Sequence, residues 1–322
     1  MTSIQLRAFL AAFAAVLLCG FPGPAPAGAP QQKTQVPGYY RLMVGDIEVT
    51  PLNDGTFPMP VGKLLTGISP PALEAALARF FLKDPVETSV NGFLVNTGTR
   101  LVLIDTGTGG SMGPTTGMLL ANLKASGYQP EQVDEIYITH MHGDHIGGLL
   151  SGGQRAFPNA VVRASRPEAD FWLSKANMEA APADRKDGFK RAMEVLAPYI
   201  AAGKFKPFEG NAELVPGVRA VAAPGHTAGH TLYVVESAGN KLLLWGDLMH
   251  VAAVQFADPS VAIRFDTDST SAVAQRRQIF ADAAAKGYWV GGAHLPFPGI
   301  GHLRTAASEG YVFVPANWGL PH

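Results

Sequence analysis

The chain has 322 residues, 47% of them hydrophobic, with 25 Lys and Arg against 26 Asp and Glu and a formal charge of −1. No basic stripe is present that could follow a phosphate backbone, so no nucleic-acid partner is expected. One cysteine, Cys19, rules out a disulfide framework within the chain.

Arg7 opens a short n-region, residues 8–18 form an apolar h-region, and Ala25-Pro26-Ala27 supplies small residues for cleavage. This is a secretory signal pattern, and its apolar run is too short to span a bilayer. Residues 1–27 are therefore expected to be a signal peptide and residues 28–38, rich in Pro, Gln and Gly, a flexible arm. Residues 39–322 are expected to form the folded domain. Processing leaves 24 basic and 26 acidic residues and no thiol, which suits an oxidising compartment. The expected location is the periplasm or the exterior, without stable membrane insertion after processing. Lipid attachment at Cys19 is the alternative, and the bulk of Leu18 before it argues against that. About 290 residues remain, near the upper limit for one hydrophobic core.

In chain order, residues 40–49 alternate as a strand. Residues 55–67, rich in Gly and Pro, read as a loop with apolar side chains that lie either over a site or over a core edge. Ser69 is placed to cap a helix over 70–81, with Pro in its first turn. Residues 93–96 and 100–104 flank Thr97-Gly98-Thr99 as a hairpin. A helix over 118–126 leads to a buried strand at 135–139, and 160–164 is another strand. Helices follow at 167–175, carrying Trp172 as core or pocket wall, and at 187–202, with Phe189, Met193, Leu196 and Ile200 on an apolar face. Residues 218–222, 231–236, 241–245, 288–291 and 311–314 read as strands, and 269–286 as a helix.

The chemistry-bearing stretch is Thr139-His140-Met141-His142-Gly143-Asp144-His145. Four possible metal ligands fall within six residues, where a strand ends and a turn aims neighbouring side chains at one point. Imidazole with carboxylate suits zinc, iron or manganese. Strands also deliver His226, Asp247 and His294 to their C-terminal ends, and Asp105 ends the second hairpin strand. Asp105 is either a partner holding a ligand His or a cap on a turn. His230 and His302 read as structural. His250, three residues past Asp247, is expected in a pocket wall rather than on a metal.

These motifs, in this order from residue 104 to 294, resemble those of the metallo-β-lactamase superfamily. A closer resemblance runs through residues 91–98, 127–134, 252–256 and 297–302, to the methyl parathion hydrolases and their lactone-hydrolysing relatives. The superfamily resemblance implies an α/β fold, an αββα sandwich of two mixed sheets flanked by helices. It implies two divalent transition metals, zinc first, with His140, His142 and His226 on one and Asp144, His145 and His294 on the other. Asp247 bridges them, and Asp144 and Asp247 are the catalytic carboxylates. The closer resemblance implies a substrate pocket containing Leu65, Met112, Trp172, Phe189, His250, Ile263 and Phe265, and a homodimer.

The implied reaction is hydrolysis by a metal-bridging hydroxide. His250 and Phe265 stand where the phosphotriester-cleaving relatives have smaller aliphatic residues. Their rings narrow the pocket toward a flat aryl lactone or ester, dihydrocoumarin being the specific expectation. Methyl parathion hydrolysis is the alternative. A mononuclear iron enzyme acting on persulfides is disfavoured by the bridging carboxylate. A non-catalytic module is disfavoured because all seven ligand positions are filled.

Overall fold

The computed structural model describes residues 28–320. The expected signal peptide, residues 1–27, lies outside them. Residues 28–36 form no helix or strand, and Pro37 onward forms a separate compact unit. Among the described residues, no helix is long and apolar enough to cross a membrane.

Two large sheets carry the fold. The first has β1 (Leu42–Val44), β2 (Ile47–Met59), β3 (Val86–Asn96), β4 (Leu101–Ile104), β5 (Glu135–Tyr137) and β6 (Val161–Arg163), side by side in that order. The β4–β5 and β5–β6 pairs are parallel and the others antiparallel. The second has β7 (Glu213–Val215), β8 (Val218–Ala222), β9 (Thr231–Ser237), β10 (Asn240–Leu244), β11 (Trp289–Gly291), β12 (Ile300–Thr305) and β13 (Tyr311–Pro315), again in order. Only β10–β11 is parallel there. The main helices are α1 (Pro70–Ala78), α2 (Leu119–Ala125), α3 (Gly143–Ile146), α4 (Arg166–Trp172), α5 (Lys186–Ala201) and α6 (Ser269–Lys286).

The layering follows from strands that are apolar on both faces. In β4, Leu101 and Leu103 pack with Leu119 and Leu123 of α2 and Val195 and Leu196 of α5. Val102 and Ile104 face the other way and pack with Val218, Tyr233, Leu242 and Leu244 of the second sheet. Leu243, between the last two, instead joins Trp245 and the α6 residues Phe280 and Ala283. The two-residue side-chain period thus feeds a helix–sheet core and a sheet–sheet core from one strand. The result is the expected αββα sandwich. Leu103 is fully buried, and its truncation to Ala should cost about 2–5 kcal/mol.

Several boundaries differ from the sequence reading. The strand expected over 40–49 is broken by a turn at Gly45, whose φ is 59°, and β1 folds back on β2. The loop expected over 55–67 is largely ordered: β2 runs on to Met59, where its residues pair with β3. Ser69 makes no side-chain cap, and α1 stops at Ala78. On α5 the buried face is Phe189, Ala192, Val195, Leu196 and Tyr199, whereas Ile200 is exposed. Tyr199 takes the inward position because its hydroxyl donates to Leu149 O and accepts from Phe157 N. Helix α6 matches its expected span, with Asp268 accepting from the Thr270 and Ser271 N–H groups and Gly287 at φ 67° ending it.

Candidate metal centre and its cavity

Five strands end at one edge of the sandwich, and each hands over a polar residue. Asp105 follows β4, His140 and His142 follow β5, His226 follows β8, Asp247 follows β10 and His294 follows β11. The chain past His142 enters α3, which carries Asp144 and His145, so the metal-ligand motif occupies a turn and the start of a helix. Gly147 and Gly148 follow. A Cβ on either would collide with the carbonyls of Thr108 or Thr106, so only glycine lets the loop after β4 lie this close.

The side chains converge. His142 Nδ1 lies 3.0 Å from His140 Nε2 and 3.1 Å from His226 Nε2. Asp247 Oδ2 lies 3.4 Å from His226 Nε2, 3.6 Å from His140 Nε2 and 3.3 Å from His294 Nε2, and its Oδ1 lies 3.2 Å from His145 Nε2. Asp144 Oδ2 is 3.4 Å from His294 Nε2 and 3.6 Å from His145 Nε2. Two groups therefore meet around Asp247: His140, His142 and His226 with Asp247, and Asp144, His145 and His294. Within each group the ligand atoms lie within 4.8 Å of one another.

The outer nitrogens show what this arrangement fits. His145 Nδ1 bonds Asp105 Oδ2 at 2.8 Å, His226 Nδ1 bonds Asp266 Oδ1 at 2.9 Å, and His294 Nδ1 bonds Ser89 O at 2.9 Å. The Thr139 hydroxyl donates to Asp105 Oδ2, which leaves its oxygen to accept from His140 Nδ1 at 3.1 Å. With Nδ1–H committed outward, the lone pairs of His140 and His226 Nε2 point inward at each other's neighbours and at a carboxylate. Buried lone pairs facing one another need a cation between them. His145 Nε2 and Asp247 Oδ1 are also buried without hydrogen-bond partners. The donor set therefore fits divalent cations of the zinc type. Asp105 fills both of its expected roles: it holds His145, and it accepts from Thr139 N at the strand end. Its φ of 58° is a strained conformation for this residue, and the three bonds to its carboxylate hold it there.

Electrostatics agree. Burial drives His140 and His226 well below the usual imidazole value, and it drives His142 down to about 3. These three imidazoles are held in the neutral form, which is the form that can bind a cation. Burial also works against a proton on His145 and His294, but the carboxylates of Asp247 and Asp144, with Asp105 beside His145, outweigh it and hold both above that value. Burial alone would raise Asp247, yet the imidazoles of His145, His294, His250 and His140 hold it well below the carboxylate range. Positive charge is favoured at the side of Asp247 that faces His145 and His294.

The centre forms the floor of a cavity of about 550 Å³. Of the residues the resemblance assigns to a substrate pocket, Met112, Trp172, Phe189, His250 and Phe265 line this cavity. Leu65 and Ile263 are not among the lining residues. They pair in a two-residue ladder and pack in the core with Val61, Val251 and Val254. The reason is strand alternation: Ile263 is fully buried, and its neighbour Arg264 takes the cavity side. Of the apolar residues in the 55–67 stretch, expected over a site or a core edge, Phe57 and Met59 line the cavity, and Phe171, Arg185 and Arg264, which no sequence motif marks, line it too. Phe57 and Met59 share one face of β2, where they alternate with half-buried or exposed residues. His250 lines the cavity and also lies 3.0 Å from Asp247 Oδ2, in a third possible cation-holding group with Asp247 and His294. His230 is structural: its Nε2 accepts from Asp247 N and its Nδ1 faces Ala223 O. His302 packs against Trp289 with their ring planes tilted, and it does not line the cavity.

Residues 85–299 match the metallo-beta-lactamase superfamily, and the chain belongs to that family. It is 32% identical over 123 residues to an N-acyl homoserine lactonase of Bacillus thuringiensis, covering 38% of this chain and 41% of that protein. The match thus spans less than half the length of that relative. Among solved structures, the hydrolase AbOPH of the beta lactamase superfamily is 38% identical with a TM-score of 0.85, covering 89% of this chain and all of that one. AidC, a dizinc quorum-quenching lactonase in complex with the product N-hexanoyl-L-homoserine, is 28% identical with a TM-score of 0.81, covering 88% of this chain and 99% of that one.

Proposed function

We propose that this chain is a binuclear metal hydrolase that opens aryl lactones and esters of the dihydrocoumarin kind. The observation that carries this reading is the meeting of two His/Asp groups around Asp247 at the floor of a ring-lined cavity. His140, His142 and His226 would hold one cation, Asp144, His145 and His294 the other, and Asp247 both. When bound, such a pair supplies Lewis acidity and a hydroxide nucleophile at neutral pH. Zinc is the first candidate, supported by the dizinc relative. Lactones as the substrate class are supported by the named activities of two relatives.

The chain's own residues supply the rest. Asp105, Asp266 and the Ser89 carbonyl fix the ring orientation of His145, His226 and His294. Phe57, Trp172 and Phe189 give the cavity apolar walls, each being buried by nine-tenths or more. His250 and Phe265, with ring centroids 5.9 Å apart, form one bulky stretch of the cavity wall, which supports a flat ring as substrate over three substituents around phosphorus. A phenolate leaves without strong acid assistance, so no separate general acid is required. A phosphotriester is the competing substrate. Specificity constants for dihydrocoumarin, an acyl-homoserine lactone and methyl parathion, measured side by side, test the reading, and a faster methyl parathion reaction rejects it. We also propose export with removal of residues 1–27, to be tested by intact mass, and a homodimer, to be tested by light scattering.

A further inference from the structure

Arg276 on α6 is fully buried, yet all of its hydrogen bonds go to backbone carbonyls. Its Nε donates to Leu248 O at 2.7 Å, and its Nη1 donates to Pro259 O at 3.0 Å and Val261 O at 2.7 Å. Gln255, also fully buried, donates from Nε2 to the same Val261 O at 2.9 Å. Its Oε1 accepts from His250 N at 2.8 Å and Val251 N at 2.9 Å. Burial pushes the guanidinium down to about 10, against the pull of Asp266 and Asp258. A buried charge without a carboxylate in contact is expensive, so what it holds matters.

It holds two segments. Residues 248–251 follow Asp247 and carry His250. Residues 259–261 lead into Arg264 and Phe265 of the cavity wall and then Asp266, which bonds His226. Besides the core packing that Val251 and Val261 share, the two segments are tied at this junction: Val261 O receives both donors, while the same two residues grip Leu248 O and His250 N. We propose that Gln255 and Arg276 are positioning residues that set the spacing between the segment of Asp247 and His250 and the wall of Arg264 and Phe265, and thereby the substrate shapes the cavity accepts. This rests on the cavity being the substrate site.

The test uses the full metal-loaded chain and the variants Gln255→Met, Gln255→Glu and Arg276→Lys. Metal equivalents, melting temperature, and kcat and KM for dihydrocoumarin and for 4-nitrophenyl butyrate are measured on each. The expected result is unchanged metal content and a shift of about tenfold in the ratio of the two specificity constants, carried mainly by KM for dihydrocoumarin. A merely structural role would lower the melting temperature and depress kcat on both substrates alike, with KM unmoved. That pattern in a folded variant overturns the proposal. Gln255→Glu keeps the acceptor for His250 N and loses the donor to Val261 O, so it decides the matter if Arg276→Lys does not fold. If the wild type hydrolyses neither compound, the functional reading fails. The crystal structure of Gln255→Met then tests the positioning alone, because an unchanged 5.9 Å separation of the His250 and Phe265 rings contradicts it.

Discussion

Asp266 Oδ1 lies 2.9 Å from His226 Nδ1, forty positions away in sequence. Both are buried, and the bond fixes which nitrogen of His226 faces the metal centre. Outer partners of this kind are typically worth about 10- to 100-fold in metal affinity. Asp266→Ala should therefore weaken metal binding on that scale in a chelator competition, with His226 still present. Unchanged affinity would show that the ring is held by other contacts.

The centre was legible for a local reason, and its supports were not. His140, His142, Asp144 and His145 sit within six residues, so their spacing alone announces them. Asp266 has no such local mark, because only the fold brings it to His226. The same holds for the Ser89 carbonyl, which lies 205 positions from His294. The cavity wall and the core both show how a one-residue offset matters. Strand alternation exchanges Ile263 for Arg264, and helix phase exchanges Ile200 for Tyr199. The sandwich itself was legible in the order of the family motifs, and runs such as 101–104, apolar at every position, agree with it because such runs require cover on both faces. The turn at Gly45 was hidden by an alternation that continues across it.

Asp247 contacts both groups of ligands, so its loss should affect both. Asp247→Ala is expected to lose metal and activity together, since removing the shared carboxylate leaves each group one ligand short. Metal analysis beside a rate measurement on dihydrocoumarin checks this. Retention of two equivalents per chain would show that Asp247 is not the bridge.

His250 and Phe265 test the shape argument. His250→Leu with Phe265→Leu should widen the cavity and move the ratio of specificity constants from dihydrocoumarin toward methyl parathion by roughly ten- to two-hundredfold, equivalent to ~1–3 kcal/mol. The rings are 5.9 Å apart, so the single variants need not add. Metal content should stay constant. A fall in metal content would assign His250 to a cation instead of the wall, and a static ratio would remove both residues from specificity.

Tyr199 sets part of the alkaline limit. Burial raises its phenol to about 12, so the folded chain holds this proton more tightly than the unfolded chain. Stability from this group is complete below pH 10 and is lost as pH rises from 10 toward 12. Wild type should exceed Tyr199→Phe by about 0.5–1.5 kcal/mol at pH 8, the worth of its hydrogen bond to Leu149 O. That margin should shrink by about 1 kcal/mol by pH 11. Urea melts at both pH values check it, and a margin that grows with pH would contradict the assignment.

Two cations held around Asp247 are proposed to make this chain a lactone hydrolase. Titration of chelator-stripped protein with zinc, following dihydrocoumarin hydrolysis, tests this most directly. The rate should be negligible at the start and should plateau at about two equivalents per chain, one for each ligand group. Full activity in the stripped protein, or a plateau at one equivalent, would contradict it.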